Sequence, residues 1–143
     1  MAMISGHMDV ASAGVRAAEL LVEACGAGEG LHPETVRGLA GDLGRGLTSS
    51  SAVGTSGSLV DAALACADLA TLAVCNIAAL PDRGRPSAAA ATHLAAGAAR
   101  ALAALAEAGI GEPGDAYSEN ALRDLRSAGW KANLAVRQLG ESD

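Results

Sequence analysis

Three groupings of side chains have types and spacings that chemistry can use. The first centres on His93, with Gly97 four residues later and Ala98 and Ala99 beyond it. On a helix His93 and Gly97 lie one turn apart on one side. An exposed imidazole with a small residue one turn on leaves room for a phosphorylated partner, which makes His93 a candidate phosphoacceptor. The second grouping is a pair of polar stripes at seven-residue spacing: Asp61, Asp68 and Cys75, then His93, Arg100 and Glu107. If the two flanks faced each other, carboxylates and an imidazole suited to acid/base work would share a cleft with a guanidinium and a thiol. The plainer expectation is two solvated flanks. The third grouping is Arg123, Arg126, Trp130, Asn133 and Arg137, one helical stripe holding three arginines and the sole Trp. Arg and Trp dominate binding hot spots and stack on one another. An acidic partner helix or a small anionic ligand is the expected occupant. The simpler alternative is a Trp covering the bundle edge with Arg stems alongside.

The stretch His93-Leu94-Ala95-Ala96-Gly97-Ala98-Ala99 resembles the histidine phosphotransfer motif. That resemblance implies an acidic helical bundle and a signalling role in which His93 accepts a phosphoryl group. The sequence departs from the motif at Ala96, where a Lys usually stands, and it offers only one helix after the one bearing His93. Gly57-Ser58-Leu59 leading to Cys75-Asn76-Ile77 is also similar to the opening helix of the folate cyclodeaminase/cyclohydrolase family. The remaining chain is too short for that fold, and Thr55 and Ser56 break the preceding glycine run.

Metal and nucleotide chemistry find less support. Glu29-Gly30-Leu31-His32 precedes Pro33 in a loop, so it cannot offer the helical Glu-x-x-His geometry of bundle metal sites. Gly26-Ala27-Gly28-Glu29-Gly30 follows a predicted helix, whereas a phosphate-cradling loop follows a strand. Neither metal nor cofactor is expected.

The elements that must position these residues are helices. About a quarter of the chain is Ala, and there is no Phe. Ala is the strongest helix former, and no stretch alternates as a strand does. The first helix is predicted from Asp9 to Cys25, on a seam of Val10, Ala13, Ala17, Leu20 and Ala24. The second starts at Pro33 and follows Val36, Leu39, Leu43 and Leu47. Gly38, Gly41 and Gly44 weaken it, so it is expected to be short. Thr48 to Gly57 reads as a flexible linker. The third helix runs from Ser58 to about Leu80, apolar nearly all round. The fourth runs from Pro86 or Ser87 to Ala108 on a seam of Leu94, Ala98, Ala101, Leu105 and Ala108. The fifth runs from about Tyr117 to Leu139, capped by Asp115 or Ser118, on Leu122, Leu125, Gly129, Ala132, Val136 and Leu139. Together they predict an all-α, antiparallel four-helix bundle, with helix two as one additional short helix.

The chain of 143 residues fits one domain, residues 9–143, behind an N-terminal stretch (1–8) that reads as a vector scar or disordered segment. A formal charge of -6 argues against binding nucleic acid or an anionic membrane surface. Asp61 and Asp68 interrupt the longest apolar run, which argues against a membrane span. Cys25, Cys66 and Cys75 form no C-x-x-C pair and point to a reducing, cytoplasmic setting. Because helix three carries Leu69 and Leu80 opposite its seam of Val60, Ala63, Ala67, Ala70, Val74 and Ile77, a homodimer through helix three or four is expected, with Asp68 and Arg100 at its rim. The leading expectation is therefore a non-enzymatic, self-associating binding or scaffold protein. The alternatives are a phosphotransfer module, and a small-molecule enzyme or binder with its site between helices three, four and five.

Overall fold

Ala-rich segments bounded by Gly and Pro form five α-helices in a computed structural model that describes residues 7–25, 33–53, 56–110 and 114–141. They are α1 (His7–Ala24), α2 (Pro33–Val53), α3 (Ser56–Asn76), α4 (Arg85–Ile110) and α5 (Ala116–Glu141). Two single 3-10 turns, Ile77–Ala79 and Asp82–Gly84, join α3 to α4. There is no strand among the described residues. Asp115 caps α5, with its Oδ1 accepting a 2.7 Å hydrogen bond from the Ser118 backbone N–H. That bond holds its carboxyl below the usual carboxylate range.

The helices pack as layers around the α3–α4 pair. On one side α1 lies against α4 and α2 bridges α1 and α3, so these four close a ring. On the other side α5 packs against both α3 and α4 and, among the described residues, touches neither α1 nor α2. This corrects the expected arrangement: the helix outside the four-membered ring is α5. Helix two is not short either, with 21 residues. Much of the expected linker belongs to helices, since α2 continues to Val53 and α3 begins at Ser56. Within the α2 extension the Thr48 hydroxyl donates back to the Gly44 carbonyl one turn earlier, at 3.1 Å. Residues 54–55 lie outside the described residues, as do 1–6 of the expected N-terminal segment, while His7 and Met8 already belong to α1.

The expected apolar seams of α2, α4 and α5 hold in part: Val36, Leu47, Ala98, Leu125, Ala132 and Leu139 are buried, while the rest of each seam is shifted. In α4 the buried arc includes Ala88, Ala91, Ala95, Ala98, Ala99 and Leu102, while Leu94 is 37% exposed. In α5 it is Ala121, Leu125, Ala128, Ala132, Ala135 and Leu139, leaving Leu122 and Val136 half-buried. In α2, Ala40 is buried and Leu39 is 48% exposed. The physical reason is common to all three. Packing several helices around one another favours the faces where backbones approach most closely, and Ala presents those faces. A larger Leu is then displaced to the margin.

Two glycines mark the closest approaches. A Cβ on Gly84 would stand 2.2 Å from the Ala24 carbonyl oxygen, so the end of α1 meets the start of α4 backbone to backbone. A Cβ on Gly14 would stand 2.7 Å from Cys66 Sγ. Gly129, on the expected seam of α5, faces open space instead.

The segments Ser58–Ala79 and Asp82–Ile110 are each long and apolar enough to cross a membrane by length and composition. In this fold they are the central pair, packed against α1, α2 and α5, with 44% of each apolar stretch buried. Leu69 is fully buried and Leu80 nearly so. The face on which the expected twofold contact rested is therefore enclosed within a single chain.

Candidate functional site

Because α5 seats in the groove between α3 and α4, its two edges meet different neighbours. Lys131 Nζ reaches Asp68 Oδ1 on α3 at 3.3 Å. Asn133 Oδ1 accepts a 3.0 Å hydrogen bond from Arg100 Nη1 on α4. Positions 131 and 133 point to opposite flanks of a helix. Asp68 and Arg100, expected to share a rim, are thus drawn to opposite sides of α5. The two polar stripes do not face each other across a cleft, since α5 occupies the space between them. No group of three or more His, Cys, Asp and Glu side chains able to hold a metal ion occurs among the described residues.

The third side of α5 faces outward and carries the Arg/Trp stripe. Trp130 is 65% exposed. Arg123, Arg126 and Arg137 are exposed around it. Arg123 donates to Asn120 Oδ1 on the same helix. None of the three arginines forms an ion pair among the described residues. Arg126 and Trp130 are one turn apart, and Arg137 lies two turns beyond Trp130. The indole therefore covers no bundle edge; it stands on the solvent face with cations on both sides.

His93 lies on the exposed side of α4, and the space above Gly97 is open. It borders a groove of about 760 Å³ that spacing alone did not reveal. The groove lies where the α3 end, the start of α4 and the end of α5 converge. Ala89 and His93 of α4 form one wall, Val136 and Leu139 of α5 the other, and Ile77 closes the end. Its polar edge comes from the inter-helix turn: Arg85 Nη1 pairs with Asp82 Oδ1 at 2.9 Å, and Arg85 Nη2 donates to the Ala78 carbonyl at 3.2 Å. The available signal was Asp82-x-x-Arg85 between Pro81 and Pro86, a charged pair at ion-pairing spacing in a turn.

The thiols divide by depth. Cys25 and Cys66 are buried and Cys75 is exposed. Burial pushes the Cys66 thiol up to about 12. Burial also raises Cys25, against the opposing pull of the Arg37 guanidinium. Neither is poised as a nucleophile.

No protein-family model matches this chain, and no curated protein is significantly similar to it in sequence.

Proposed function

We propose that the protein is a non-enzymatic binding module whose working surface is the outward face of α5, and that its occupant is an acidic amphipathic helix of a partner protein. The observation that carries this reading is the 65% exposure of Trp130 among arginines that have no ion pair among the described residues. A large indole left in water is an unsatisfied apolar surface, and Trp and Arg are both enriched in binding hot spots. Arg126 and Arg137 favour carboxylates, which they can grip in bidentate fashion. The inner face of α5 is already docked, so the outer face is free to bind without unfolding anything.

A photo-crosslinking residue placed at Trp130 in the native host tests this. A discrete adduct is expected, lost on Arg126→Glu and absent when the crosslinker replaces Leu39 on α2. An adduct with a second copy of the chain would replace the acidic partner by self-association through α5. No discrete adduct, or the same adduct from both positions, overturns the reading.

A second reading keeps His93 as a phosphoacceptor, favoured by its exposure and by the open space above Gly97. Incubation with acetyl phosphate would then add one phosphoryl group, and His93→Gln would abolish the addition.

A further inference from the structure

We propose that the groove at the convergence of α3, α4 and α5 is a small-molecule site for an amphipathic carboxylate, a ligand with an apolar body and one carboxylate group. This site is separate from the outward face of α5 and does not depend on that surface being a docking face. Its size, about 760 Å³, lies in the range of small-ligand pockets.

The ligand class follows from the walls. Arg85, Ala89 and His93 recur every fourth residue and share one side of α4, spanning about 12 Å along the axis. Ala89 offers only a methyl between two long side chains, so the wall is a trough with a basic group at each end. Val136 and Leu139 face it from α5, and Ile77 closes it. The floor is thus aliphatic, suited to a hydrocarbon body.

The anion-binding end is Arg85. Its Nη2 is tethered to the Ala78 carbonyl, which fixes the plane of the guanidinium. Its Nη1 is held by Asp82, whose side chain is 92% exposed. An exposed ion pair of this kind is weak and easily exchanged. A ligand carboxylate can therefore take the place of Asp82 on a guanidinium that is already oriented. Once its apolar body is seated, the ligand carboxylate is also the less hydrated of the two competitors. Arg83 is exposed in the same turn, and Glu141 falls on the outward side of α5. His93 at the far end can donate or accept a hydrogen bond to a second polar group.

The experiment is a titration of the full chain with octanoate and with its neutral counterpart octanamide, followed by methyl and amide NMR shifts. Saturable shifts at Ala89, Val136 and Leu139 are expected with octanoate, and binding about tenfold weaker with octanamide. Arg85→Gln should weaken octanoate binding about tenfold. Asp82→Asn should tighten it, because the internal competitor is gone. These opposite signs separate a ligand-binding guanidinium from a merely structural ion pair, whose loss from either side would act alike. Ala89→Leu should fill the trough and reduce binding of both probes, and thermal melts of each variant confirm that it is folded. The proposal fails if octanoate and octanamide bind equally, if neither saturates at millimolar concentration, or if the shifts map to Arg126 and Trp130.

Discussion

Gly84 shows how much can depend on one missing methyl. Its neighbour is the backbone carbonyl of Ala24, which cannot rotate away as a side-chain tip can. Gly84→Ala should destabilise the protein by about 1–3 kcal/mol, read as a lower midpoint in urea. Gly97→Ala, at an open position within α4, should be neutral or slightly stabilising, since Ala is the better helix former. Cys66 makes a different demand. Its thiol is held neutral up to about 12, against an ordinary value of 9.0. The folded state keeps a proton that the unfolded state releases, so this contribution is intact below pH 9 and is lost as pH rises from there towards 12. Stability should fall by about 1.4 kcal/mol per pH unit in that window, and Cys66→Ala should flatten the slope. A thiol-reactive dye should label Cys75 alone in the native protein and all three cysteines after unfolding. At this scale the sequence was informative about residue type and poor about surroundings. The Arg123–Arg137 stripe could be read directly because it lies on one helix. The pairing of Asp68 with Lys131 could not, because it depends on which helix is seated beside α3.

Among the elements, α5 deserves the first test because both the proposed docking face and one wall of the groove belong to it. Leu125 is 4% exposed and is one of the few large side chains on the inner side of α5. Leu125→Ala should cost about 2–5 kcal/mol; a cost below about 0.5 kcal/mol would mean that α5 is not docked on α3 and α4. Helix existence and most boundaries were legible: Pro33 opens α2 as expected at a first-turn position, and Asp115 supplies the α5 cap. The phase of the apolar seams was legible in part, with Val36, Leu47, Leu125, Ala132 and Leu139 buried as expected. Weighting Leu over Ala pointed to Leu94, Leu39 and Leu122, yet Ala99, Ala40 and Ala121 are the buried neighbours. When several helices converge, closeness of approach outweighs the burial of any single larger side chain. The expected shortness of α2 misjudged a 21-residue helix that packs against both α1 and α3.

For the whole molecule, the class of fold could be read from composition, but the order of packing could not. Nothing along the chain distinguishes an α5 that closes a ring from an α5 that caps the central pair, because both bury the same Ala-rich stripe. Ala dominates the buried positions of every layer, from Ala17 in α1 to Ala132 in α5. That has a consequence for how the protein can change. An ordinary core is damaged mainly by truncation, since its seats hold Leu, Ile or Phe. Here most seats already hold a single methyl, so truncation has little left to remove. The harmful direction is enlargement: Ala95→Val and Ala63→Val should each be worse tolerated than Leu43→Ala. A scan of random substitutions would find a fold bounded from above in side-chain volume, one that drifts freely at its margins and admits almost no added carbon at its centre.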